Sequence, residues 1–296
     1  MDMAYLDFSK AFDVVSHLLL LDKLQLLGFD PIVISWIKSF LIGRTMSVSV
    51  SGTSSLSMPV TSGVPQGSVL GPLLFLIYVN FITVAVAGCW VAFADDFKLC
   101  VCYPRNNVDQ QMQASVRLQN DLNNIADTSL SWNLKLNPAK CVIMRFGERS
   151  GTDQVAYSIY GTNLIFVDSY KDLGVTIDSG LKFHAHVNAV IGKAGAMINN
   201  LLRSTVCRSV EFMLTLYVSH IRPIIEYGSC VWNVGYLEDE RRIERLQRKW
   251  TREIDGLTGL DYVSRLKKIG LYSIKGRLLR IDLIQIWKAF HSDVDV

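Results

Sequence analysis

Three aspartates stand where apolar strand signals run out. Met3-Ala4-Tyr5-Leu6 is a short apolar stretch that ends at Asp7, and two further apolar runs, 90–94 and 97–101, are separated by Asp95-Asp96. A carboxylate at the end of a buried strand must meet water, a cation or a metal, because desolvating it unpaired is costly. Two adjacent carboxylates repel each other unless positive charge compensates them. Carboxylate oxygens are the hard ligands that Mg²⁺ prefers, with substrate phosphates completing its shell. Two such ions about 4 Å apart stabilise the attacking and leaving oxygens of a phosphoryl transfer. A strand-end Asp7 beside a hairpin-tip Asp95 suits that chemistry if the fold brings them together. Taken alone, Asp95-Asp96 suits an exposed hairpin turn better than a metal site, because Asp is favoured in turns.

The elements that must position these residues are readable in outline. Residues 16–27 carry a helical pattern stopped by Gly28, and Pro31 opens a second helix over 32–42 with Gly43 behind it. Residues 45–59 alternate around Ser51-Gly52-Thr53, a hairpin signal, and 62–67 form a loop rich in turn formers. Helices are expected over 72–86 and 107–132, and strands over 141–146, 155–160, 164–167 and 175–177. From Phe183 onward the pattern is almost wholly helical. The expectation is therefore an α+β body in residues 1–180, an antiparallel sheet packed on helices, followed by an all-helical region in 181–296.

Half of the 296 residues are hydrophobic and 19% are charged, which provides a core and excludes a disordered chain. No charge occurs between Arg44 and Asp95, and the stretch 69–94 is long enough to span a bilayer. Gly71-Pro72, Asn80, Thr83 and Gly88 interrupt it, and no Lys/Arg cluster flanks it. A buried helix followed by a buried strand explains the same letters, so no membrane partner is expected. The six cysteines form no CxxC and have no closely spaced His, against a zinc site or disulfide framework. Cys100 and Cys102 are expected to be buried on one strand face. With no secretion signal, an intracellular setting, cytoplasm and/or nucleus, is expected.

Charge is unevenly distributed. Residues 1–181 hold 12 Lys+Arg against 15 Asp+Glu, whereas 182–296 hold 18 against 12. The C-terminal region is the candidate nucleic-acid face. Arg241, Arg245, Arg248 and Lys249 are its candidate phosphate contacts, with Leu246 and Trp250 on the packed side. Solvated helix faces with Glu238, Glu240 and Glu244 as partners account for the same pattern.

Several stretches together resemble the reverse transcriptases of non-LTR (LINE-type, jockey-like) retrotransposons. Tyr5-Leu6-Asp7-Phe8-Ser9-Lys10-Ala11-Phe12-Asp13 resembles their motif A, and Ser62-Gly63-Val64-Pro65-Gln66-Gly67-Ser68-Val69-Leu70-Gly71-Pro72 their motif B. Phe93-Ala94-Asp95-Asp96 resembles motif C, and Leu136-Asn137-Pro138-Ala139-Lys140-Cys141 motif D. Tyr170-Lys171-Asp172-Leu173-Gly174-Val175 resembles the primer-grip segment, and the stretch from His220 to Gly228, with Trp232 after it, the region beyond. The motifs fall in family order over nearly the whole chain. Phe93 departs from the Tyr usual in motif C.

The resemblance implies a polymerase palm with partial fingers in 1–180 and a thumb-like region in 181–296. It implies two Mg²⁺ ions, with Mn²⁺ as a substitute, held chiefly by Asp7 and Asp95 and supported by Asp96. The Phe8 carbonyl would complete a metal shell, and Phe12 would be the steric gate against a ribose 2′-OH. Gln66 and Gly67 would lie against nucleotide and template, Arg44 beside the template path, and Lys140 would protonate the leaving pyrophosphate. The implied partners are an RNA template, a DNA primer and deoxynucleoside triphosphates; no protein partner is indicated. Family members carry a fingers region upstream of motif A, so a chain with Asp7 this near Met1 is expected to be an N-terminally truncated piece. The rival to RNA-directed DNA polymerization is a catalytically inactive nucleic-acid-binding remnant.

Overall fold

The computed structural model describes residues 1–147 and 155–291, and the chain divides into two compact units, 1–168 and 169–296. The first unit contains β1 (Asp2–Leu6), α1 (His17–Leu26), α2 (Pro31–Leu41) and four two-residue strands, β2 (Thr45–Met46), β3 (Ser49–Val50), β4 (Thr53–Ser54) and β5 (Met58–Pro59). There follow α3 (Leu70–Val79), a 3₁₀ stretch over Asn80–Ala85, β6 (Cys89–Phe93), β7 (Asp96–Val101) and α4 (Val108–Ser131). The unit closes with β8 (Val142–Arg145), β9 (Ser158–Ile159), β10 (Thr162–Asn163) and β11 (Ile165–Val167).

Helix starts follow capping chemistry. The Ser16, Asp30 and Asn107 side chains accept from Leu19, Ile32 and Gln110 N–H, satisfying donors that the first turn leaves free. The helix expected over 72–86 is shorter, because α3 passes into the 3₁₀ stretch at Asn80. Among the described residues no helix is long and apolar enough to cross a membrane.

Five strands form one sheet in the order β11-β8-β1-β7-β6. β1 is central and antiparallel to both β7 and β8, while β11 runs parallel to β8. Leu118, Leu122 and Ile125 of α4 sit at helical spacing on one buried face. They join Ala4, Leu6, Leu99 and Ile143 of the sheet and Leu20, Leu24, Leu41 and Phe75 of α1–α3 in one core. Burying each such Leu, Ile or Phe is worth about 2 kcal/mol. Neither Cys100 nor Cys102 is buried as expected: Cys100 is half-buried, and Cys102 is exposed because β7 ends at Val101.

The start of β1 is held by a buried carboxylate. Asp2, 0% exposed, accepts from Arg145 Nε at 2.8 Å and Nη2 at 3.1 Å, from Tyr103 hydroxyl at 2.6 Å and from Tyr157 hydroxyl at 2.8 Å. Burial pushes this carboxyl up, but the Arg145 and tyrosine donors outweigh it and hold the group below the usual carboxylate range.

The second unit contains β12 (Ser169–Asp172), β13 (Val175–Asp178), α5 (His184–Ser204), α6 (Val210–Leu216), a π turn over Tyr217–Ile221 and α7 (Arg222–Glu226). It continues through α8 (Ser229–Trp232), α9 (Leu237–Arg252), α10 (Tyr262–Ile269) and α11 (Ile274–His291). Trp232 and Trp250 are buried at its centre with Val187, Ile198, Tyr217 and Ile243. β12 and β13 form a hairpin that turns at Leu173-Gly174, with Gly174 at φ +87°. Tyr227 hydroxyl donates to Leu173 carbonyl at 2.6 Å, and Trp232 Nε1 donates to Tyr227 carbonyl at 2.8 Å. The hairpin thereby groups with the helices, and the compact units divide at 168/169 where sequence pattern alone sets the change at 180/181.

Candidate active site

The register of the sheet settles where the aspartates lie. The last β1–β7 pair is Leu6↔Phe97, and the pair closing the β6–β7 hairpin is Phe93↔Asp96. Asp7 follows Leu6 and Asp96 precedes Phe97 on the antiparallel neighbour, so one step past the ladder the two stand side by side. The turn itself is Ala94-Asp95, with Ala94 at φ +54°. Asp96 is therefore a strand residue, a correction to the reading in which Asp95 and Asp96 together separate the strands. A non-glycine residue held in the left-handed region costs on the order of 1 kcal/mol, and such strain clusters at functional sites.

Asp7 is tied down through its backbone. Its N–H points at Cys141 Sγ at 3.4 Å and its carbonyl accepts from Asn137 N–H at 2.8 Å. Ser9 N–H donates to Lys135 carbonyl at 2.9 Å, and Phe8, buried in the core, bridges Leu136. Motif D is thus laced onto motif A, which brings Lys140 Nζ to 3.5 Å from Asp7 Oδ2. That oxygen is buried and accepts no hydrogen bond. Leaving such an acceptor unsatisfied costs about 1–3 kcal/mol. Lys140 is 67% exposed, so it compensates the charge only weakly.

An oxygen acceptor buried without a donor, beside two further carboxylates, fits a hard divalent cation. Burial pushes the neighbouring Cys141 thiol up to about 11, and the carboxylate oxygens of Asp7, Asp95 and Asp96 are the donors here that suit Mg²⁺. Among the described residues no three His, Cys, Asp or Glu side chains gather closely enough to hold a metal by themselves. A cation here needs oxygens from outside the protein, which is how Mg²⁺ is bound when substrate phosphates complete its shell.

The motif B loop docks on the chain that leaves Asp7. Gly63 N–H donates to Val15 carbonyl at 2.8 Å, Val64 N–H to Phe12 carbonyl at 3.0 Å, and Ser62 Oγ to Asp13 carbonyl at 2.9 Å. Gly63 sits at φ +84°, and a Cβ there would meet Asp13 carbonyl oxygen at 2.7 Å, so only glycine permits this approach. Gln66 is exposed, and its Nε2 donates to Asp13 Oδ1 at 2.9 Å, while Gly67 faces open space. Phe12 stacks on Phe75 with centroids 4.1 Å apart. Arg44 is engaged inward, donating to Leu41 carbonyl at 2.9 Å and Gly63 carbonyl at 3.1 Å. It fixes the loop rather than reaching out. Sequence reasoning missed His17, buried at 6% exposure, whose Nε2 meets the same Gly63 carbonyl at 2.8 Å. As the residue after a helix cap, it carries no signal of that role.

In the second unit Arg241, Arg245 and Arg248 share one face of α9 with Lys275 nearby. Glu238 lies 4.0 Å from Arg241 and 3.6 Å from Arg245, and Arg248 stacks over the Tyr262 ring at 4.4 Å. Lys249 turns elsewhere, donating to Asn199 Oδ1 on α5 at 2.5 Å. Leu246 and Trp250 are buried as expected.

Comparison with known proteins bears on these motifs. Residues 3–177 match the family described as reverse transcriptase (RNA-dependent DNA polymerase). The chain is 31% identical over 264 residues to the RNA-directed DNA polymerase from mobile element jockey of Drosophila melanogaster, covering 86% of this chain and 28% of that protein. It is 30% identical over 268 residues to the jockey polymerase of Drosophila funebris, covering 85% and 28%. The probable RNA-directed DNA polymerase from transposon X-element of Drosophila melanogaster is 30% identical over 260 residues, again with 28% of that protein spanned. The chain thus spans little more than a quarter of the length of these relatives. Among solved structures, apo telomerase from Candida Tropicalis covers 99% of this chain and 51% of that one at 11% identity and a TM-score of 0.44.

Proposed function

The chain belongs to the reverse transcriptase (RNA-dependent DNA polymerase) family, and from that premise we propose that it extends a DNA primer on an RNA template using deoxynucleoside triphosphates. The observation that carries the reading is the buried, undonated Oδ2 of Asp7, set beside Asp96 and the Ala94-Asp95 turn with Lys140 Nζ 3.5 Å away. Two Mg²⁺ ions, or Mn²⁺ in their place, would supply activation of the primer 3′-hydroxyl and charge compensation at the leaving pyrophosphate. Asp7 and Asp95 would hold them, with Asp96 in support and the Phe8 carbonyl as a further ligand.

The remaining roles belong to the chain's own groups. Lys140 is placed to deliver a proton to the departing oxygen, since its ammonium already points at the carboxylate corner. Phe12, fixed by its stack on Phe75, presents a flat wall against a 2′-hydroxyl. Gln66, oriented by Asp13, rests against the base pair being formed, and Gly67 leaves room for close backbone approach. Arg44 acts indirectly by holding the motif B loop. Arg241, Arg245 and Arg248 of α9 contact the strand backbone; the exposed pairings of Arg241 and Arg245 with Glu238 are weak enough to exchange for phosphate, and Arg248 is held over the Tyr262 ring. Lys249 joins them once released from Asn199.

The test is primer extension by the purified chain on an RNA template with Mg²⁺ or Mn²⁺ and either deoxy- or ribonucleotides. Extension confined to deoxynucleotides and abolished by Asp95→Asn is expected. Tight template binding with no extension under either metal would replace the proposal with a non-catalytic nucleic-acid binder.

A further inference from the structure

We propose that Cys89 and Cys100 form an oxidisable dithiol site, which low-molecular-weight disulfides convert to a cross-strand disulfide that pins β6 to β7. The two residues are register partners in the β6–β7 ladder. Directly opposed residues of an antiparallel pair put their side chains on one face of the sheet. Here the two thiols are in hydrogen-bond contact. Both are free; Cys89 is exposed and Cys100 half-buried. The pair lies at the open end of the hairpin, away from the Phe93↔Asp96 pair at the turn. It takes no part in the carboxylate corner, and it stands whether or not the unit polymerises.

The strand geometry permits the bond. Opposed Cα atoms in an antiparallel pair are about 4.5–5.5 Å apart, inside the roughly 4.4–6.8 Å window that a disulfide spans. Their Cβ atoms stand about 4.5–5.5 Å apart, so closure draws them together by about an ångström. β6 gives that distance readily, because it is the edge strand of the sheet and is held on one side only. Phe97 and Leu99 of β7 face the core, so Cys100 alternates onto the other face, where a small reagent reaches Cys89. Cys102 is the rival partner, close enough to act on the Cys100 thiol. Two residues of extended chain span about 6.6–6.8 Å, the upper limit of the window, and their side chains run alongside rather than toward each other. The register partner is the nearer one.

The chemistry is a two-step exchange. The Cys89 thiolate attacks one sulfur of the reagent disulfide, forming a mixed disulfide and expelling one thiolate, which takes up the proton that Cys89 lost. The Cys100 thiolate then attacks Cys89 Sγ, the bond to the reagent half breaks, and the second reagent thiol leaves with the Cys100 proton. Two protein thiols are oxidised, and one reagent disulfide is reduced to two thiols. Burial, then the neighbouring Cys89 and Cys102, push the Cys100 thiol up to about 11, so the exposed Cys89 opens the exchange. An exposed disulfide is labile, and in a reducing setting it is transient rather than a permanent staple.

The experiment incubates the purified full chain with oxidised glutathione, blocks the remaining thiols with N-ethylmaleimide in denaturant, and maps linked peptides by mass spectrometry without reduction. The expected product is one linkage, Cys89–Cys100, with Cys102, Cys141, Cys207 and Cys230 alkylated, and its full reversal by dithiothreitol. Hydrogen–deuterium exchange should show the amides of Cys89–Phe93 protected about tenfold or more beyond the reduced chain. Cys100→Ser should stop at the glutathione adduct on Cys89 without added protection, whereas Cys102→Ser should behave as the native chain does. No linkage, arrest of the native chain at the glutathione adduct, a Cys100–Cys102 linkage, or a Cys89–Cys100 linkage without added protection overturns the proposal. Mapping and exchange on the native chain need no variant, so a substitution that fails to fold leaves the test intact.

Discussion

The two ends of β1 carry aspartates in opposite conditions. At the start, Asp2 is fully buried and receives donors from Arg145, Tyr103 and Tyr157. Just past the end, Asp7 has a buried oxygen that receives none, with Lys140 3.5 Å away. One opens a strand of the sheet and the other directly follows it, five residues on, so their difference lies in the partners that each meets. A carboxylate whose acceptors are filled from within is a structural joint. A carboxylate left short of donors is held at a cost by the surrounding fold, and such a cost persists where something outside the protein is to be bound.

That contrast breaks if the two aspartates respond alike to neutralisation. Asp7→Asn is expected to lower primer extension on the order of 10³-fold, as loss of a preorganised transition-state contact does, while the melting temperature stays level or rises. A variant that melts markedly lower would make Asp7 a structural residue. Asp2→Asn should do the reverse, lowering stability by about 3 kcal/mol because Arg145 loses its buried partner, as urea unfolding reports. The pH dependence has a definite sign. The Asp2 carboxyl is held below its ordinary range when folded, so its contribution is present above the unfolded value near about 4 and fades as pH falls through the folded value. Stability of the native chain should therefore drop more steeply in acid than that of Asp2→Asn. Lys140→Met is expected to slow extension about 10²-fold, with little change in melting because Lys140 is exposed. The smallest effect belongs to the paired cations of α9. Glu238→Gln should release Arg241 and Arg245 and raise oligonucleotide affinity a few-fold, whereas Arg245→Gln should reduce the salt slope by about one; no change in either would confine phosphate contacts to other residues.

Much of this was legible in the residues. The apolar run ending at Asp7, the capping residues Ser16 and Asp30 and the glycines that close α1 and α2 act locally, so pattern reveals them. Asp95-Asp96 was located, yet its geometry was not, because whether the turn holds both residues or only Asp95 depends on Ala94 adopting a left-handed backbone. Asp2 gave no sign at all. Its partners stand 101, 143 and 155 residues away, and only the finished sheet brings them together. The cationic side was legible as composition but not as availability. The arginines of α9 stand out in the sequence, and prove to be paired with Glu238 or stacked on Tyr262. Cationic availability is set by the neighbours that folding assigns, which no linear spacing encodes.

The central place of β1 also fixes an order of events during synthesis. The strand is made before either neighbour, and the Asp2–Arg145 contact closes a span of 143 residues. At ribosomal rates of about 5–20 residues per second that interval is roughly 7–30 seconds. Until β7 is made both edges of this apolar strand are open, and the edge that β8 will cover stays open to the end, while α1 and α2, whose contacts are local, are free to form. The carboxylate corner is thus completed only once β7 and Lys140 have been made, and slow arrival of β8 leaves one edge of β1 open to pairing with another chain. Refolded samples should regain helical signal well before they regain a competent site.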